Sequence, residues 1–97
     1  MKKTIDEIQD EFLEAVGAGN ATLVKKFIQE GVDIDCCNFY GKTALIIATE
    51  RGHKECIDIL LAANANPNIT DFEGMIPLSI AILQGHNECI KSIIKAY

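Results

Sequence analysis

Two short motifs in this 97-residue chain carry the residue types of a metal site: His53-x-x-Cys56 and His86-x-x-Cys89 each set an imidazole near a thiol, the ligand pair zinc favours. If each motif lies at the start of a helix, the two sit on neighbouring helical units roughly 10 Å apart. A tetrahedral ion needs all its ligands at about 2.0 to 2.3 Å, so no metal site is expected, and the same separation forbids a Cys56 to Cys89 disulfide. Cys36 and Cys37 are adjacent on what reads as an exposed turn, without the Cys-x-x-Cys spacing or basic neighbour that would activate a thiol. All four cysteines are expected to be free thiols in a reducing compartment. Glu50, Glu55 and Glu73 have no histidine or second acid arranged beside them for proton transfer, and no phosphate loop or nucleophile elbow is present. An enzyme is not expected, and neither is a cofactor.

The 33-residue separation of the two motifs belongs to a longer pattern. Sliding the chain by 33 aligns positions 38–64 with 71–97, and eleven of the 27 pairs are identical, including Phe39/Phe72, Gly41/Gly74, Leu45/Leu78, Gly52/Gly85 and His53/His86. Chance does not give that many, so an internal repeat is the organising feature. A further shift sets Phe12, Ala15, Gly19, Leu23, Val24, Phe27 and Ile28 under the same apolar skeleton. Each unit reads as a helix pair. Thr4 with Glu7 has the form of a capping box and predicts a helix over about 4–16; Asn20 caps a second that stops at Gly31. The pattern recurs over 43–51 and 53–63, with Asn64 in place of the terminating glycine. It recurs again from Pro77 to Gly85 and over 87–96. The Asn, Asp, Gly and Pro-rich stretches at 33–41 and 66–74 read as protruding turns. A single pair cannot bury its apolar stripe, so stacking on the next unit creates the core.

Fourteen acids against nine bases, a formal net charge of −5, lack the electrostatic footprint that nucleic acid or an anionic membrane rewards, so neither is an expected partner. Acids follow Met1-Lys2-Lys3 where a signal sequence would need an apolar stretch, so the sequons at Asn20 and Asn68 are not expected to be glycosylated.

The middle unit reads Asn38-x-x-Gly41-x-Thr43-Ala44-Leu45-Ile46-x-Ala48-Thr49-x-x-Gly52-His53, and the third Asp71-x-x-Gly74-x-Ile76-Pro77-Leu78-Ser79-x-Ala81-Ile82-x-x-Gly85-His86. This pattern resembles the ankyrin-repeat family over about 10–97, nearly the whole chain. The resemblance implies an all-α solenoid of antiparallel helix pairs joined by protruding β-turn fingers, one domain over 1–97 with units at about 4–37, 38–70 and 71–97. The family's histidine after leucine is replaced by Ile46 and Ser79, and its threonine survives at Thr43 but not at Ile76, so the capping network is expected to be incomplete. The first unit lacks a finger and carries Asp6, Asp10 and Glu14 on its outer face, as a terminal cap does. Ile82, Ile90, Ile93, Ile94 and Tyr97 are expected to leave the other end uncovered. That end would dock a further repeat or associate weakly with another copy of an otherwise monomeric chain.

The family holds protein partners by its finger tips and the exposed side of its first helices. Carried over by position, that surface is Phe39, Tyr40, Lys42, Glu50 and Arg51 in the middle unit, and Phe72, Glu73, Met75, Leu83 and Gln84 in the third, with Gly17 and Ala18 at the matching places in the first. The expected function is therefore non-catalytic binding of a partner protein through fingers and groove. The alternative is a structural segment of a longer ankyrin-repeat protein, such as a bacterial effector or scaffold, whose binding site lies elsewhere. Phe39, placed over Phe72, either contacts that partner or folds back with Phe72 to cover the turns. The acids of the first 37 residues read as a solvated cap face rather than a docking patch for a basic partner. Isoleucine over leucine and lysine over arginine are compatible with an AT-rich genome. The expected location is the cytoplasm, or a host cytosol if a bacterium secretes the protein.

Overall fold

The helices begin where side chains can satisfy the free amides of a first turn. Thr4 caps α1 (Ile5–Gly17): its hydroxyl accepts from the Glu7 amide at 3.1 Å while the Glu7 carboxylate accepts from the Thr4 amide at 3.2 Å. Asn20 caps α2 (Ala21–Gln29) by accepting from the Leu23 amide at 3.2 Å, and Thr43 caps α3 (Ala44–Glu50) by accepting from the Ile46 amide at 3.3 Å. The other three, α4 (Lys54–Ala62), α5 (Pro77–Gln84) and α6 (Asn87–Ile94), have no side-chain cap. Ile76 stands where Thr43 caps α3, so the start of α5 rests on Pro77, whose fixed φ suits a first turn. Asn64, at φ 67°, ends α4 in the left-handed conformation that glycine supplies after α2 and α5.

This computed structural model describes residues 2–97. The six helices form three successive pairs in an array of 43 × 26 × 22 Å, with α1, α3 and α5 stacked in one row and α2, α4 and α6 in the other. The chain is all-α: the strand-like pairing among the described residues is an isolated antiparallel bridge between Cys37 and Thr43. No helix among them is long and apolar enough to cross a membrane.

The core runs the length of the array because the repeat puts the same inward positions into each unit. Phe12 and Leu45 are buried in the first row, and Val24 and Ile57 in the second. The Phe12 ring meets Phe27 edge-on at 6.0 Å between centroids, closing the first pair. Ile93, expected on the uncovered end, is fully buried. It takes the place that Leu60 takes one unit earlier, facing inward rather than along the array. Ile82, Ile94 and Tyr97 do remain exposed, at 58%, 54% and 59%. Cys36, expected on an exposed turn with Cys37, is buried as well, because the bridge at Cys37 turns its predecessor inward; Cys37 alone is exposed, and all four thiols are free.

Backbone and ring contacts stitch each seam between units. The His53 ring lies against Gly19, with Nε2 3.0 Å from the Gly17 carbonyl oxygen, while Cys56 three residues on is buried in the core. Imidazole and thiol of that motif therefore serve different contacts. On the opposite side the Asn66 amide donates to Asp35 Oδ1 at 3.0 Å.

Candidate functional site

Each finger is built around one side-chain acceptor. Asn38 Oδ1 accepts from the amides of Tyr40 and Lys42 at 2.9 and 3.0 Å, and Asp71 Oδ1 accepts from those of Glu73 and Met75 at 2.9 Å each. Asn38 and Asp71 sit 33 residues apart and do the same work, so a conserved turn geometry follows from either residue type. The turn spends the polar groups inward and pushes the two residues at its tip outward: Phe39 is 98% exposed and Tyr40 70% exposed.

The two phenylalanines are not equivalent. The Phe72 amide donates to the Tyr40 carbonyl at 3.2 Å, and the Phe72 ring lies over the backbone of Gly41. A methyl group added at Gly41 would come within 2.6 Å of Phe72 Cδ1. Phe72 thus spans the seam between fingers, although it remains largely exposed, whereas Phe39 has no finger before it to lie on. Phe39 was expected over Phe72. The only ring pair among the described residues is Phe12 with Phe27, because the stacking surface for Phe72 is a glycine backbone rather than another ring.

Finger one, the end of α1 and the face of α3 enclose an open groove of about 670 Å³. It gathers Phe39, Tyr40, Lys42, Glu50 and Arg51 of the expected surface, with Gly17 and Ala18. Phe72, Glu73, Met75, Leu83 and Gln84 do not line it. They lie further along the array, with Leu83 76% exposed and Met75 half-buried. Asp10, Leu13, Glu14, Asn38 and Ile47 also line the groove. Asp10 and Glu14 are thus not confined to an outer cap face. The signal was in the repeat: Glu14 holds on α1 the place that Ile47 holds on α3, just as Gly17 and Ala18 match Glu50 and Arg51.

Charges in the groove are mostly engaged. Lys42 Nζ donates to Glu50 Oε2 at 2.8 Å and lies 5.8 Å from the centre of the Tyr40 ring. The hydrogen bond to Glu50 holds the Lys42 ammonium above the ordinary lysine range. Arg51 Nη1 donates to the Gly17 carbonyl at 3.3 Å, sharing that oxygen with His53. No group of three or more His, Cys, Asp or Glu among the described residues could hold a metal ion. Behind the finger, burial, aided by the Asp33 carboxylate, pushes the Cys36 thiol up to about 11. A second open cleft, of about 890 Å³, lies between α1 and α2, lined in part by Ile8, Leu23 and Phe27 with the Lys3 and Glu11 ion pair at its rim.

A family model for ankyrin repeats (3 copies) matches residues 12–97. The inactive serine/threonine-protein kinase TEX14 of Mus musculus is 32% identical over 65 residues, covering 67% of this chain and 4% of that protein. Ankyrin repeat domain-containing protein 29 of Danio rerio is 39% identical over 56 residues, 57% of this chain and 19% of that one. The mitochondrial disaggregase of Homo sapiens is 37% identical over 59 residues, 61% of this chain and 8% of that one. The chain therefore spans only a small part of these relatives.

Proposed function

The chain belongs to the ankyrin-repeat family, whose members generally mediate protein–protein interaction, and from this premise we propose that it binds a partner protein, without catalysis or cofactor, through its finger tips and concave groove. One observation carries the reading: Phe39 stands 98% exposed at the rim of an open groove. A large apolar ring held in water by a rigid turn has most to gain from a partner that covers it. Residues 1–97 act in this reading as one three-unit domain in the cytoplasm. Affinity capture with the wild-type chain and with Phe39→Ala, each checked by thermal melting, tests it. Equal melting with loss of the captured partner supports the groove; retention of that partner by Phe39→Ala overturns it.

A second reading has its own observation. Gly74 and Gly85 present open backbone where Gly41 and Gly52 receive Phe72 and His86 of the following unit, and Ile82 and Leu83 are exposed beside them. In this second reading the chain is a structural segment of a longer ankyrin-repeat protein, such as an effector or scaffold, whose binding site lies elsewhere. Fusing a further repeat after Tyr97 should then raise the melting temperature and bury Ile82; no change in melting argues against it.

A further inference from the structure

The first unit has the positions of a finger but not the finger. In the 33-residue register positions 5–8 match 38–41 and 71–74, yet they form the first turn of α1, held there by the capping box of Thr4 and Glu7. Finger one therefore has no finger on its α1 side, and the groove that Phe39 and Tyr40 share with Asp10, Leu13 and Glu14 of α1 lies on that side. What a finger supplies to its successor is visible one unit on. Tyr40 gives its carbonyl to the Phe72 amide at 3.2 Å, and Gly41, at φ 75°, gives a bare backbone to the Phe72 ring. Phe39 is the matching residue of finger one. Its amide donates to no acceptor among the described residues, and its ring is 98% exposed. Finger one thus presents both halves of the seam contact, the amide and the ring, and neither is answered.

Resting on the groove reading above, we infer that the partner supplies the missing finger. It is a tight turn of the form Asx-x-x-Gly, whose third carbonyl accepts from the Phe39 amide and whose glycine lies under the Phe39 ring. The chemistry follows from the seam already present. A methyl group at Gly41 would come within 2.6 Å of the Phe72 ring, so a side chain at the matching place in the partner would displace Phe39. Glycine also adopts the required positive φ without strain. Asn or Asp opens the turn because its side-chain oxygen accepts from the amides that follow, as Asn38 and Asp71 do in the two fingers of this chain.

The probe is a display library of short cyclic random peptides panned against the whole chain. Enriched peptides should share Asn or Asp three residues before a glycine. Phe39→Ala in the protein, or alanine in place of that glycine in a selected peptide, should each weaken binding about tenfold. Phe39→Ala should melt with wild type, because the ring is exposed, and the control Leu83→Ala, exposed outside the groove, should bind like wild type. Hydrogen exchange at the Phe39 amide should slow about tenfold in the complex, as a new hydrogen bond there requires. Selected peptides that need Phe39 yet lack the glycine, tolerate alanine in its place or leave exchange at Phe39 unchanged overturn the turn inference and leave the groove standing. If no peptide is enriched, or if the enriched ones are indifferent to Phe39→Ala, the groove reading falls and this inference with it.

Discussion

Substitution of Gly41 by alanine separates a held aromatic from a free one. Gly41 and Gly74 occupy the same place in their fingers, at φ 75° and 80°, but the Phe72 ring covers Gly41 while nothing lies within 4 Å of a methyl group at Gly74. An L-residue in this left-handed conformation costs ~1–2 kcal/mol. Alanine recovers about 0.4–1 kcal/mol of that by restricting the unfolded chain, which leaves Gly74→Ala about 1 kcal/mol less stable than wild type. At Gly41 the added methyl also displaces Phe72. That ring is 77% exposed, so it buries about a quarter of the ~200 Å² an aromatic offers, worth roughly 1 kcal/mol at about 25 cal/mol per Å². Gly41→Ala should therefore lose roughly 2 kcal/mol, and the excess over Gly74→Ala corresponds to a further fall of ~4–8 °C in Tm for a domain of this size. Urea and thermal unfolding of the two variants, repeated in a Phe72→Ala background, form a double-mutant cycle. In that background the excess at Gly41 should vanish. Equal losses at the two glycines, or an excess that survives removal of the ring, would refute the account of Phe72 as a seam contact.

Three further outcomes follow from the same structure. Asp71→Asn should cost under about 1 kcal/mol, because Asn38 serves the same two amides in finger one, whereas Asp71→Ala should cost about 1–3 kcal/mol by leaving them unsatisfied; denaturation midpoints of the pair decide it. Leu45→Ala removes a side chain only 1% exposed at the centre of the first row and should cost about 2–5 kcal/mol, seen as a collapse of Tm; a shift of a degree or two would show that the core lies elsewhere. Burial, aided by Asp33, lifts the folded-state Cys36 pKa above its unfolded value of 9.0, to about 11. Its contribution is then complete below pH 9 and lost as pH rises through 9.0 towards 11, so wild type should lose stability across that window more steeply than Cys36→Ala. Parallel curves would reject this.

Much of the fold was legible in the residues because the determinants are local and repeated. Thr4 with Glu7, Asn20, Thr43, Pro77 and Asn64 act within a turn or two of themselves, so type and spacing suffice to place helix ends. The 33-residue recurrence then names the neighbours, since residues at matching positions must face matching directions. Ile93 obeys the same rule: it aligns with Leu60 and shares its inward direction. The candidate site was half legible for the same reason. Lys42, Glu50, Arg51 and Glu14 all follow from position in the repeat, whereas the charge of Glu14 by itself points to a cap face.

What the sequence by itself determined is the periodic part: six helices in three pairs, the apolar stripe they share, the turns between them, and an acidic first unit. The tertiary structure decided everything that depends on which unit has a neighbour. Phe39 and Phe72 are the same residue in the same turn, yet one stands in water and the other lies on a backbone. Gly41 exists before Phe72, and no finger precedes Phe39. Pairing of Lys42 with Glu50, and the hydrogen bond from Arg51 to the Gly17 carbonyl, are likewise a matter of distances across separate elements. A repeating sequence cannot express these differences, because its period makes the positions identical and only the ends of the stack make them unlike.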